Sequence, residues 1–345
     1  MKNPLRKKIL VIRFSSIGDV LQTLSVSQIL HQKFPDASLQ VATQSRFRVF
    51  FELQPGVEKV WDVPKKSGLK ELWALSALLG AEKFTHIYDA HNNLRSRLLT
   101  LMLRLRGRPF FHLLRRPIYR WRRFLLFRFH WNLFEKPFSG QMDQLRPLKK
   151  WGVIPRIGET PSLFIAPEVL GRIKDLLKQR EVGPFVALAP SAAYPLKRWP
   201  REYFEELMKR MPSFSFVLLG GPEDTFLEEM AVKGNEGLGP ARVFNLAGKL
   251  SLEESAAVVF YSRALVANDT GVMHMAEQLG RPCVALMGPA PFGFPSKKST
   301  RILERDLSCR PCSKHGQGPC VNPEYQKCLR TILPVEVKRA LEDLL

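Results

Sequence analysis

The sequence predicts an α/β protein made of two doubly wound, Rossmann-like domains, each a parallel sheet with helices on both faces. Three observations carry that prediction. Short apolar runs of strand length alternate with amphipathic stretches of helix length through both halves of the 345 residues. The first run, Lys8 to Phe14 (KILVIRF), has the continuous apolar character of a central parallel strand rather than strict alternation. A stretch punctuated by Pro147, Gly152, Pro155, Gly158 and Pro161 separates the halves. The length is enough for two hydrophobic cores. Domains are therefore expected over 1–155 and 160–345.

In chain order, the first half is expected to place strands at 8–14, 39–43, 57–63 and 85–90. A Ser15-Ser16-Ile17-Gly18 turn follows the first strand, and a helix runs from about Asp19 to Phe34, stopped by Pro35. The second half is expected to place strands at 184–190, 214–220, 242–246, 264–268 and 282–288. Helices are expected near 201–211, 223–233, 251–262 and 270–280, and Ser251 with Glu254 forms a capping-box pattern. No period of 20–50 residues repeats, which excludes a solenoid. Such an arrangement places a ligand between the domains, at the C-terminal ends of the strands.

Composition sharpens the picture. The formal net charge is +21, from 53 Lys+Arg against 32 Asp+Glu. Almost all of the imbalance sits in residues 1–150, with 28 basic and 10 acidic side chains. Residues 90–134 hold eleven Arg, no Lys and no acid: Arg95, Arg97, Arg104, Arg106, Arg108, Arg115, Arg116, Arg120, Arg122, Arg123 and Arg128. Such a stretch is either a solvated basic face or the meeting place for an anion, whose forked guanidiniums suit phosphate and carboxylate. The anionic partner could be nucleic acid, a membrane surface or a polyanionic substrate. No apolar run reaches the roughly 18–20 residues of a membrane span. Residues 9–12 are too short for a signal-peptide core before Arg13 interrupts them, so a cytoplasmic location is expected.

Four segments carry chemistry. No Gly-x-Gly-x-x-Gly follows the first strand and no Walker A is present, which argues against nicotinamide-dependent redox and P-loop phosphoryl transfer. Asp19 falls in the first turn of the first helix, either as an ordinary helix-start aspartate or as a general base at a ligand site. Ser191 to Pro200 (SAAYPLKRWP) follows a strand and puts Lys197 and Arg198 where a phosphate could be clamped. Asn268 to His274 (NDTGVMH) links a strand to a helix. The amides near Thr270 and Gly271 form a helix N-terminus suited to phosphate, and His274 lies one turn further along the same face. Cys309, Cys312, Cys320 and Cys328 group within twenty residues, with His315 among them; they suit a structural zinc site or a set of reduced thiols. Cys283 reads as core.

Taken together, these segments resemble glycosyltransferase family 9, the bacterial lipopolysaccharide core heptosyltransferases. The anchors are Ile12 to Asp19 (IRFSSIGD), Pro190-Ser191 through Lys197-Arg-Trp-Pro200, and Asn268 to His274 continuing to Met287-Gly288-Pro289. Their wording, with the late cysteines, is closest to the heptosyltransferase II branch. The resemblance spans nearly the whole chain. It implies a GT-B fold with an N-terminal acceptor domain and a C-terminal domain binding ADP-L-glycero-D-manno-heptose, with no required cofactor. It implies Asp19 as catalytic base and Lys197 as the partner of the donor diphosphate, with Ser191 beside it. It implies Asp269, Thr270, Gly271 and His274 in the donor loop, Glu223 near the ribose and Leu250 near the adenine. The acceptor, a phosphorylated lipid A core at the cytoplasmic face of the inner membrane, would meet Arg95, Arg97, Arg120, Arg122 and Arg123.

The Arg-rich segment matches no family motif. If helical, residues 118–134 would suit an anionic membrane leaflet. An inverting transfer needs one base on the acceptor hydroxyl and positive charge at the departing diphosphate, and no Asp-x-Asp motif asks for a divalent metal. Another donor sugar or a later core acceptor is the alternative within the family. Nucleic-acid binding is the alternative outside it, and no motif of that class is present.

Overall fold

A computed structural model of the chain describes residues 6–65, 68–106, 111–236 and 242–345. Arg108 of the basic stretch lies outside the described residues. The chain divides into two compact units. The first holds residues up to Tyr119 together with 141–158 and 162–164; the second holds 120–140, 159–161 and 165–345.

The first unit is a five-stranded parallel sheet in the order β3-β2-β1-β4-β5. Its strands are β1 Lys8–Ile12, β2 Ser38–Thr43, β3 Val57–Asp62, β4 His86–Asp89 and β5 His112–Arg115. Its helices are α1 Ile17–Lys33, α2 Val49–Glu52, α3 Leu69–Ala81 and α4 Leu94–Leu105. Two further helices, α5 Arg120–Phe129 and α6 Gly140–Leu145, follow in the chain, and α5 belongs to the second unit. β1 is central, with Ile9 to Ile12 all fully buried, as a continuous apolar run requires. Leu10, Ile12, Phe14, Leu75, Leu79, Ile87 and Leu99 share one core on it. α4 starts on a capping box: Ser96 N donates to Asn93 Oδ1 at 2.9 Å and Asn93 N donates to Ser96 Oγ at 3.0 Å.

The second unit is a six-stranded parallel sheet in the order β11-β10-β9-β6-β7-β8. The strands are β6 Phe185–Ala189, β7 Ser215–Leu218, β8 Val243–Asn245, β9 Ala264–Asn268, β10 Cys283–Leu286 and β11 Thr300–Leu303. The helices are α7 Pro167–Gln179, α8 Arg201–Arg210, α9 Phe226–Asn235, α10 Leu252–Tyr261, α11 Gly271–Leu279, α12 Lys327–Arg330 and α13 Pro334–Glu342. The core gathers Trp199, Phe204, Leu207, Phe216, Leu227, Val266, Val284, Leu329 and Leu341. The expected capping box is present at α10, with Glu254 N donating to Ser251 Oγ and Ser251 N to Glu254 Oε2.

Several expectations need correction. β5 and β11 were not expected; each is a four-residue edge strand without a fully buried apolar run. α9 starts at Phe226 rather than Glu223, because the Asp224 carboxylate accepts the Gly221 amide at 2.8 Å and holds a turn there. The stretch read as a connection is not free chain. Residues Arg146–Trp151 form a 3-10 helix, and the Trp151 ring meets His86 edge-on at 4.9 Å. The Arg-rich segment is divided, its residues from Arg120 onward clustering with the second unit.

Candidate active site

In a doubly wound sheet, ligands gather where the strand order reverses, at the C-terminal ends of the strands. In the first unit that point lies between β1 and β4. Asp19 stands just past β1, the third residue of α1, with Ser16 at the N-cap. Its carboxylate is gripped on both oxygens. Arg13 NH2 reaches Oδ2 at 2.5 Å, Arg116 NH1 reaches Oδ1 at 3.0 Å, and Ser16 Oγ donates to Oδ2 at 3.1 Å.

Burial would raise the Asp19 pKa, but the two guanidiniums outweigh it and hold the carboxyl well below the usual range. Its side chain is still 34% exposed, so a ligand can reach it. Arg13 is 5% exposed and also donates to the Ala90 carbonyl at 2.7 Å. Burial draws its pKa down to about 10, against the pull of Asp19. Arg116 bridges Asp19 to Asp143, whose Oδ2 accepts from Arg116 Nε at 2.7 Å.

The end of β4 extends this network. Asp89, fully buried, accepts from the Asn92 amide at 2.7 Å and from Ser96 Oγ at 2.9 Å, while burial pushes its pKa up. Asn92 takes a positive φ of 49°, a conformation Asn tolerates, and donates its side-chain amide to the Arg116 carbonyl at 2.6 Å. Arg97 Nε donates to Asn92 Oδ1 at 2.8 Å, and Arg95 donates to the Pro64 and Lys65 carbonyls.

In the second unit the strand order reverses between β6 and β9. Lys197 follows β6 and Asp269 follows β9. Lys197 Nζ pairs with Asp269 Oδ2 at 2.5 Å, with the two side chains 14% and 9% exposed. The fully buried Asn268 staples the two loops together. It donates Nδ2–H to the Pro190 carbonyl at 2.7 Å, and its Oδ1 accepts from Trp199 N at 3.0 Å. Thr270 is the N-cap of α11, and its Oγ1 is buried without a hydrogen-bond partner. Gly271 opens the helix, and Gly280 at φ 69° ends it. A polar atom left unpaired beside a helix N-terminus is poised for an incoming acceptor such as a phosphate oxygen.

His274 lies one turn into α11, 3% exposed, its Nδ1 3.1 Å from Glu277 Oε2. Glu277 is fully buried, and its other oxygen accepts the amides of Ser296 and Lys297. Ser191 Oγ donates to Asp224, which also lies 4.0 Å from Arg198. Glu223 is exposed on the same turn. Half-buried Leu250 lies on a neighbouring loop that is tied on by Gly248 N donating to the Gly220 carbonyl at 3.1 Å.

These geometries decide what can be made of the remaining expectations. Of the five arginines assigned to an acceptor, Arg95 and Arg97 stand in the first unit, while Arg120, Arg122 and Arg123 stand on α5 in the second. Cys309, Cys312, Cys320 and Cys328 line one cavity of about 10 Å³ with free thiols. Among the described residues, however, no group of three or more His, Cys, Asp or Glu side chains stands ready to hold a metal ion. The Cys309 and Cys320 sulfurs instead accept hydrogen bonds from Asn322 Nδ2 and the Gln326 amide, each at 3.3 Å. The same loop supports Lys197: Gly316 packs so tightly that a Cβ there would lie 2.8 Å from Lys197 Cγ.

A family model described as glycosyltransferase family 9 (heptosyltransferase) matches residues 167–320, which include Lys197, Asp269, Thr270, Gly271 and His274. Those residues form a family 9 glycosyltransferase domain. It is 25% identical to the lipopolysaccharide heptosyltransferase 2 of Salmonella typhimurium, covering 98% of each chain. It is 27% identical to the lipooligosaccharide heptosyltransferase 2 of Haemophilus influenzae, over 98% of this chain and 99% of that one. Among solved structures it resembles the family 9 glycosyltransferase of Veillonella parvula, with a TM-score of 0.79 and 21% identity over 98% and 97% of the two chains. It also resembles the E. coli ADP-heptose lipopolysaccharide heptosyltransferase II, with a TM-score of 0.69 and 23% identity over 98% of each. Those structures establish the glycosyltransferase's GT-B fold. Among its described residues no helix is long and apolar enough to cross a membrane.

Sequence reasoning missed several residues of these candidate sites. Asp143 and Arg116 come to Asp19 from 124 and 97 positions away, with no local signal. Arg13 carried one: an arginine inside an apolar strand run has to be paired. Asp224, rather than its neighbour Glu223, holds Ser191, and Glu277 holds His274.

Proposed function

We propose that the glycosyltransferase moves L-glycero-D-manno-heptose from ADP-heptose to the anionic inner core of lipopolysaccharide, with inversion at the transferred carbon, at the cytoplasmic face of the inner membrane. The observation that carries this reading is the Lys197–Asp269 pair beside the unpartnered Thr270 hydroxyl at the α11 N-terminus. A diphosphate supplies an acceptor for the Thr270 hydroxyl and a second anionic partner for Lys197. The names of the relatives support the sugar and the acceptor, and an E. coli heptosyltransferase related in fold is described with ADP-2-deoxy-2-fluoro heptose.

In the proposed step the acceptor hydroxyl attacks the anomeric carbon, and Asp19 receives its proton. The bond to the ADP oxygen breaks as the new one forms. Lys197 and the α11 amides meet the charge growing on ADP, so the leaving group needs no general acid and the step is assigned no metal. Asp19 is ionised throughout the neutral range, but two arginines make it a poor base at rest. An anionic acceptor that engages Arg13 or Arg116 would free the carboxylate and raise its basicity where the proton has to go.

Calorimetry with ADP, UDP and GDP tests the donor. Preference for ADP, weakened by Lys197→Met, supports the reading. Preference for UDP or GDP keeps the family and overturns the sugar. Binding of none of the three overturns the donor site.

A further inference from the structure

The helix α5 has two faces that do different work. Its inner face is anchored within the second unit. Leu126 is fully buried, Phe127, Phe134 and Phe138 surround the Phe292 ring at 6.4, 5.1 and 5.1 Å, and the Arg123 guanidinium lies 4.9 Å over that ring. Its outer face is a chain of exposed rings. Trp121 is 68% exposed and stacks on Phe124 at 5.5 Å; Phe124 meets Phe129 at 5.9 Å, and Phe129 meets Trp131 at 5.8 Å. Leu133, two residues after Trp131, is 54% exposed; Arg120, Arg122 and Arg128 are exposed on the same helix, and the Arg128 guanidinium lies 5.7 Å from the Phe129 ring.

We propose that this face, Trp121, Phe124, Phe129, Trp131 and Leu133 with the surrounding arginines, is a docking surface for an anionic phospholipid bilayer. Isolated exposed apolar residues need no explanation, but a contiguous aromatic patch marks a partner. Charge says which one. No acid occurs in residues 90–134, so the face is complementary to an anionic surface and repels a second copy of itself. The rings lie against one another in one continuous apolar patch, which suits a bilayer interface better than the separate platforms on which single-stranded bases stack. Trp and Phe at the headgroup level with Arg reaching up to phosphates is the chemistry of an interfacial element. The inner face is packed in advance, so docking needs no folding step. The inference deepens the proposed acceptor reading, since a lipid-borne acceptor is presented at such a surface.

The test is co-sedimentation of the full chain with vesicles of phosphatidylcholine alone or with about a third phosphatidylglycerol. The wild type is expected to partition onto the anionic vesicles. Trp121→Ala/Trp131→Ala is expected to lower partitioning at least tenfold, and Arg128→Glu about thirtyfold, at roughly fivefold per unit of charge. Thermal unfolding, recorded alongside, is expected to be unchanged, because these side chains are exposed. Equal partitioning of wild type and both variants overturns the proposal. So does tighter, Trp-dependent binding of single-stranded DNA at the same salt. Heptosyl transfer to a deacylated, water-soluble acceptor separates the two readings. Transfer without vesicle binding overturns only the docking surface, and vesicle binding without transfer to any acceptor overturns only the function.

Discussion

Replacing Lys197 with Met removes one charge from a buried pair and keeps the packed stem. The partner Asp269 carboxylate, 9% exposed and 2.5 Å from the lost ammonium, is then left uncompensated. Breaking such a pair costs about 3–5 kcal/mol, most of it the stranded charge rather than the pair's own attraction. For a unit of this size that lowers the midpoint of thermal unfolding by roughly 6–20 °C. The lysine's proposed contact with a diphosphate is a separate quantity. A charged hydrogen bond contributes about 1.5–3 kcal/mol, so ADP affinity is expected to fall about 10- to 150-fold.

The double variant Lys197→Met/Asp269→Asn separates the two effects. Without the stranded carboxylate, most of the stability returns, while ADP affinity stays low. The assays are differential scanning calorimetry for the first quantity and titration calorimetry for the second. A double variant that regains ADP affinity along with stability would refute the reasoning, because Lys197 would then act only through the fold. A single variant of unchanged stability would refute the buried pair itself.

Three other outcomes are expected. Asp19→Asn lowers kcat about 10²- to 10⁴-fold and leaves ADP binding on the other unit intact; a loss under tenfold would remove Asp19 from the proton transfer. Trp199, 2% exposed with its Nε1–H on the Ile332 carbonyl at 2.8 Å, fills the second core, so Trp199→Ala costs about 3–5 kcal/mol, read as a lowered urea midpoint. His86 and His91 are both drawn down to about 4, chiefly by burial, from an ordinary value of 6.5. The unfolded chain therefore takes up protons that the fold refuses. Stability is full above about pH 6.5 and falls as the pH drops toward 4, and His91→Gln is expected to flatten urea midpoints measured across that window. An unchanged slope in that variant would show that His91 is protonated in the fold.

The parts of this protein legible in the sequence are those set by local or periodic rules. Continuous apolar runs marked the central strands β1, β6, β9 and β10, because a strand covered on both faces has no polar side to show. The α10 capping box and the Thr270–Gly280 brackets of α11 were readable for the same reason: caps satisfy backbone groups within three or four residues. The segments bearing Asp19, Lys197 and Asp269 could be read as candidate sites because each follows the C-terminal end of a strand.

What only the tertiary structure decided is the company these residues keep. Asp19 is clamped by Arg116 and linked through it to Asp143, Lys197 is neutralised by Asp269, and Asp224 rather than Glu223 takes Ser191. The α5 segment carries one amphipathic pattern in sequence, yet Phe127 turns inward to Phe292 while Trp121 faces solvent, and its chain position alone would have placed it in the other unit. The reason is common to all of them. Charge pairing and ring packing act through space at a few ångströms and are blind to sequence separation, so a pattern along the chain can name the residue types but not their partners.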